Sequence, residues 1–121
     1  MAEAMKGARY DAVVGVGGGS VLDLAKLAAH NVDGALCSRV RAAVFSGPRL
    51  PLVLLPTTSG TGSEVSPYAV VTVDGKKVFY TSENLLPNAA LIDPLLTVSM
   101  PLRTTAATAL DALTHALEGA M

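Results

Sequence analysis

Three short stretches of this sequence gather residues able to bind or to react. The first is Gly15-Val16-Gly17-Gly18-Gly19-Ser20, which follows an apolar run and precedes a helical pattern. Glycines at such a junction let the backbone come close to an anion, and the free amides and dipole of a helix N-terminus favour a phosphate or pyrophosphate there. A serine stands where the third glycine of a dinucleotide fingerprint belongs, and no lysine follows in the manner of a P-loop. The segment therefore also reads as a plain tight turn. The second stretch, Pro56-Thr57-Thr58-Ser59-Gly60-Thr61-Gly62-Ser63, offers hydroxyls and amides to a polar ligand, or is an ordinary surface loop of small residues. In the third, Asp111, His115 and Glu118 share one helix face. A carboxylate oxygen and an imidazole nitrogen one turn apart are two ligands for iron or zinc, and equally a surface ion pair.

The elements needed to position these residues follow from the pattern around them. Tyr10 to Val16 is apolar nearly throughout and predicts a strand ending in the glycine turn. Val21, Leu24, Ala25, Leu27 and Ala28 then fall at helical spacing, with Ser20 and Asp23 placed as a capping box. His30 sits at the end of this helix, where an imidazolium would meet the negative end of the dipole. Asn31 to Gly34 are breakers, and Ala35 to Gly47 carries only the weak pattern of a short helix with a loop. Leu50 to Leu55 is a continuous apolar run, as in a strand covered on both faces of a parallel sheet. Strand, helix and strand make a βαβ unit, whose two loops lie at the carboxyl edge where ligands of open α/β sheets gather. Tyr68 to Val73 and Lys77 to Thr81 flank Asp74-Gly75-Lys76 and predict a β-hairpin. Asn88 to Ile92 is a brief strand closed by Asp93-Pro94, and from Arg103 to Gly119 the rhythm is helical.

Composition narrows the partners. The chain has 121 residues, 50% hydrophobic and 16% charged, enough for one small packed unit and too apolar for disorder. Nine basic and ten acidic side chains leave a net charge of -1 and no basic patch, so neither nucleic acid nor a membrane surface is expected as a partner. Mean hydropathy is +0.45, yet apolar runs such as Leu50 to Leu55 are too short to span a bilayer. A single cysteine, Cys37, and a start without signal-peptide character point to the cytoplasm. There is no internal repeat.

Taken in order, Gly17 to Asp23, Pro56 to Val65 and Asp111 to Glu118 resemble the iron-containing (group III) alcohol dehydrogenases. The likeness extends to Leu86-Pro87, Ile92-Asp93-Pro94, Pro101 and Thr105-Ala106-Ala107, and so covers nearly all of the chain from Tyr10. The Thr-Thr-Ser-Gly-Thr-Gly-Ser-Glu stretch favours this branch over relatives such as dehydroquinate synthase. The resemblance implies a partial Rossmann-like α/β domain over residues 1–102 and the first helix of an all-helical metal-binding domain over 103–121. It implies that Gly17, Gly18, Gly19 and Ser20 hold the pyrophosphate of NAD or NADP and that Thr57, Thr58 and Thr61 line the cofactor beyond it. Ser66 and Tyr68 would face the nicotinamide end, and Lys77 a ribose. Asp111 and His115 match two of four ligands to Fe2+, with Zn2+ as the other fit. The expected reaction is hydride transfer between a small alcohol or aldehyde and NAD(P), in a homo-oligomer. Two ligands alone imply negligible turnover for the isolated 121-residue chain. The alternative is a non-catalytic nucleotide-binding or interaction module derived from the same family.

Overall fold

The computed structural model describes residues 9–31 and 36–121. Strand β1 (Val13–Gly17) leads into helix α1 (Gly19–Ala28), followed by a short helix α2 (Leu36–Ala42) and strand β2 (Leu52–Pro56). The hairpin strands β3 (Tyr68–Val73) and β4 (Lys76–Thr81), the two-residue strand β5 (Ala89–Ala90) and helix α3 (Leu102–Ala120) complete the order. β1, β2 and β5 form a parallel sheet with β2 in the middle, and β3 and β4 form a separate antiparallel pair. The expected α/β architecture, βαβ unit and hairpin are all present. Asp74 (φ 49°) and Gly75 (φ 78°) both adopt the positive angles that a two-residue hairpin turn requires.

Helix α1 is the centre of the molecule because it is covered on two sides. Leu22, Ala25 and Ala29 pack on Leu52 and Leu54 of β2, with Val13 of β1 beside them. From the opposite side Leu27 joins Leu36, Phe45, Ala69, Tyr80 and Leu85 in a second apolar cluster beneath the hairpin. The helix comes so close to β1 that a Cβ on Gly15 would lie 2.6 Å from Ala25 Cβ and 2.8 Å from a methyl of Leu54. Arg49 and Asn88 brace the far end of the sheet: the guanidinium donates to Leu86 O and Asn88 Oδ1, both at 2.8 Å, and Leu52 N donates to the same Oδ1.

Several boundaries and roles differ from expectation. β1 begins at Val13 rather than Tyr10, because the parallel register with Leu52–Pro56 starts there and carries the strand through Gly17. Asn88 to Ile92 contributes only Ala89 and Ala90 to the ladder before the chain turns at Asp93-Pro94. The last helix starts at Leu102, and the short helix in Ala35 to Gly47 is α2; residues 32–35 lie outside the described residues. The capping box does not form: Gly18 is the N-cap, without a side-chain bond, and Asp23 is engaged elsewhere. His30 is not an exposed helix-end cation. Its ring is fully buried, stands edge-on to Phe45 at 5.3 Å, and places Nε2 3.1 Å from Asn84 O.

Burial holds the His30 imidazole below the ordinary value of 6.5, opposed by its bond to Asn84 and reinforced by the Arg49 and Arg39 charges. The folded protein thus takes up this proton less readily than the unfolded chain. Its contribution to stability is complete above pH 6.5 and is lost as pH falls below that value toward the folded one. Urea midpoints measured between about pH 7.5 and about pH 5.5 are expected to fall more steeply in the wild type than in His30→Gln. Gly15→Ala is expected to cost about 1–3 kcal/mol through overpacking against Ala25 and Leu54, read as a lower melting temperature.

Candidate functional site

The glycine turn is shaped by what it must avoid. Gly17 has φ 157°, and a side chain there would run into Val21. The Gly18 carbonyl accepts from Val21 N at 2.9 Å and Leu22 N at 3.1 Å, opening α1. The amides of Gly19 and Ser20 precede these first helical bonds, and both residues border a cleft. The Thr57–Ser63 stretch presses on the turn: Thr57 N donates to Gly17 O at 2.9 Å, and a Cβ on Gly19 would stand 2.9 Å from Thr61 Cγ2. A Cβ on Gly18 would lie 3.4 Å from Thr58 Oγ1. Both loops therefore do lie on one edge of the sheet, with their backbones separated by no more than a threonine side chain.

The cleft beside them has a volume of about 1040 Å³ and is bordered as well by β3, β4 and α3. Gly19, Ser20 and Thr61 line it from the loops, Ser66, Tyr68 and Lys77 from the hairpin side, and Asp111 and His115 from α3. Gly17, Gly18, Thr57 and Thr58 stand behind that lining, where the two loops meet. Tyr68 is half-exposed, with its ring centroid 5.3 Å from that of Phe79 across the hairpin.

Two residues of this site escaped sequence reasoning. Asp23 faces the cleft from α1. One of its carboxylate oxygens accepts from Ser63 Oγ, and the other accepts from Val70 N of β3 at 2.9 Å. One turn further, Lys26 is fully buried. Its ammonium lies 3.5 Å from Asp23 Oδ1 and donates to Ser66 O at 3.0 Å and to Tyr68 O, with Ser66 Oγ at 3.3 Å. Burial lowers the Lys26 pKa from its usual value, while Asp23 and then Glu64 counter that shift. The local sequence carries no signal of this, since Asp23 and His30 share this side of the helix and make it read as a polar, solvated face.

Helix α3 reaches the cleft by a narrow contact. A Cβ on Gly60 would collide with the Thr108 carbonyl, so the loop and helix backbones touch where glycine removes the side chain. Past this contact, His115 Nδ1 lies 3.4 Å from Gly60 O and Nε2 lies 3.9 Å from Asp111 Oδ1. With the proton on Nδ1, directed at the carbonyl, the Nε2 lone pair turns toward the carboxylate, an orientation that suits a metal-binding histidine. The oxygen and nitrogen donors fit half of an iron or zinc site. Among the described residues no cluster of three or more His, Cys, Asp or Glu completes it. None of the helices among these residues is long and apolar enough to cross a membrane.

Residues 1–94 match the family model for iron-containing alcohol dehydrogenase. The chain belongs to that family. It is 49% identical over 118 residues to long-chain-alcohol dehydrogenase 1 of Geobacillus thermodenitrificans, an alignment that takes in 91% of this chain and 29% of that protein. The chain thus spans less than a third of the length of this relative. Its fold matches sulfoacetaldehyde reductase from Bifidobacterium kashiwanohense, solved with NAD+, at a TM-score of 0.84 and 38% identity, covering 98% of this chain and 33% of that one. An iron-containing alcohol dehydrogenase from Thermotoga maritima superposes at a TM-score of 0.81 with 39% identity, again over 98% of this chain and 33% of its own. These family structures share the α/β arrangement of sheet, helix and hairpin described above.

The contact at Gly60 yields a direct test of how α3 is held. Gly60→Ala is expected to push the helix off the loop, so that amide hydrogen exchange speeds up across Leu102–Ala120 while β1 and β2 keep their protection. Unchanged exchange in α3 would show that other contacts hold the helix.

Proposed function

We propose that this chain supplies the dinucleotide-binding face and two metal ligands of a metal-dependent alcohol dehydrogenase, which moves hydride between a primary or secondary alcohol and NAD or NADP. The observation that carries this reading is the convergence of the two loops and the Asp111–His115 pair on one cleft. The glycine turn offers the Gly19 and Ser20 amides and a positive helix end to the pyrophosphate, with Gly17 and Gly18 leaving room for it. Thr61 borders the cleft next to that anion, with Thr57 and Thr58 backing the glycine turn from behind, and Ser66, Tyr68 and Lys77 line the path from it toward α3. Lys77, which lines the same cleft, would meet a ribose or phosphate oxygen.

Asp111 and His115 would hold Fe2+, with Zn2+ compatible with the same donors. Bound there, such an ion supplies Lewis acidity toward an alcohol oxygen. The Gly60 carbonyl fixes which imidazole nitrogen faces the ion, and the half-exposed Tyr68 ring borders the space left for substrate and ring. Residues 1–102 act as the dinucleotide-binding α/β unit and 103–121 as the start of the metal-binding helical part. A small alcohol or aldehyde is the substrate, a second copy of the chain is the expected partner, and the cytoplasm is the compartment. With two protein ligands, the 121-residue chain by itself is expected to turn over negligibly.

Titration of the full chain with NADH, followed by fluorescence, is expected to show saturable binding. Gly18→Val should weaken it by about tenfold or more, equal to about 1.4 kcal/mol, because the branched side chain would press on Thr58 and displace the turn that presents the Gly19 and Ser20 amides. With Fe2+ or Zn2+ added, weak metal binding measured by calorimetry is expected in the wild type and is expected to be lost in Asp111→Ala and His115→Ala, alongside retained NADH binding. NADH affinity unchanged in Gly18→Val would reduce the glycine turn to a structural bend, and no measurable binding of added metal in the wild type would favour a non-catalytic nucleotide-binding module.

A further inference from the structure

Lys26 does not reach the cleft, yet it touches the backbone of two residues that line it. Its side chain passes beneath the hairpin, fully buried, and its ammonium has only oxygen neighbours: Ser66 O, Ser66 Oγ, Tyr68 O and Asp23 Oδ1. An ammonium has three hydrogens and no acceptor. Each hydrogen has a partner, and those partners belong to α1, to the segment entering the hairpin, and to the first residue of β3. Asp23 extends the clasp by accepting from Ser63 Oγ and Val70 N. Breaking any of these bonds would strand a charge out of water, so the arrangement is held more tightly than an exposed lysine would hold it.

The two ends of the cleft are anchored differently. The glycine turn is fixed by backbone bonds, from Val21 N and Leu22 N to Gly18 O and from Thr57 N to Gly17 O, none of which involves Lys26. The Ser66 and Tyr68 carbonyls and the Ser66 hydroxyl, by contrast, accept from the Lys26 ammonium. In the dehydrogenase reading above, a dinucleotide whose phosphates sit at the glycine turn sends its redox-active half toward Asp111 and His115, along the wall that Ser66 and Tyr68 form.

We infer that Lys26 is a positioning residue for that half of the cofactor: from beneath the hairpin it sets where Ser66 and Tyr68 stand, without touching the ligand. The inference rests on the dehydrogenase reading above, and it separates two ligands that share a phosphate end. NADH spans the whole cleft, whereas ADP lacks the nicotinamide half.

The test is paired titration of NADH and ADP against the full wild-type chain, Lys26→Met and Lys26→Gln. Methionine fills the same space without a donor, and glutamine keeps an NH2 group able to reach one carbonyl. In Lys26→Met the NADH dissociation constant is expected to rise about tenfold while that for ADP stays within about twofold, as follows from losing charge-assisted bonds at one end only. Lys26→Gln is expected to recover part of the NADH affinity. Equal losses for NADH and ADP, or no loss for either, would overturn the inference and leave the dehydrogenase reading standing. Failure of both variants to fold would also overturn it, by making Lys26 a support of the whole fold rather than of one wall. Absence of NADH and ADP binding in the wild type would instead remove the dinucleotide reading, and this inference with it.

Discussion

An ammonium group taken out of water has to be met by oxygen atoms, and at Lys26 those atoms come from separate stretches of chain. Asp23 supplies one from the same helix, and Ser66 and Tyr68 supply the others from about forty residues away. A buried ion pair seldom adds much net stability over an apolar replacement. Its effect is geometric, because the charge is tolerated only when every acceptor is in place. The hairpin is thereby docked on α1 in one position, which brings Tyr68 and Lys77 opposite the glycine turn.

Close approach does for the other side of α1 what charge does for this one. At Gly15 the missing side chain lets the helix sink onto β1 and β2, and at Gly19 it lets the threonine loop lean on the helix start. Both are places where one methyl group would open the packing. Tight packing is thus by itself enough to require glycine at both positions, and the proposed use of the turn as a phosphate cradle comes on top of that requirement.

Much of this was legible from short-range pattern. The apolar runs at Tyr10 to Val16 and Leu50 to Leu55, the helical spacing after Ser20 and the Asp74-Gly75 pair each report local backbone preference, and each produced its element within a few residues. Asp111 and His115 were readable because their i,i+4 spacing is itself the geometry. What escaped was non-local. Lys26 reads as a solvated helix residue until the hairpin carbonyls are laid over it, and Asp23 reads as a cap until Ser63 and Val70 arrive. His30 looked like a dipole partner because nothing nearby in sequence announces Phe45 and Asn84. β5 shrank because its length is decided by pairing with β2 and by the bend at Asp93-Pro94, which its own small residues do not encode.

Helix α3 stands apart, since none of its side chains is buried and Leu110, Leu113 and Leu117 face outward, more than half exposed. Helices in proteins draw most of their stability from packing, and this one draws little from the described residues. Under the proposed metal-binding role, its order and its ligand affinity are two readings of one equilibrium. Whatever grips Asp111 and His115 together recognises only the helical form of that turn, so occupancy and helicity must rise in step by mass action. The frayed state would set an upper bound on how tightly the pair alone can hold an ion. Each neighbour that packs on the leucine stripe would raise that bound without approaching the two donor atoms.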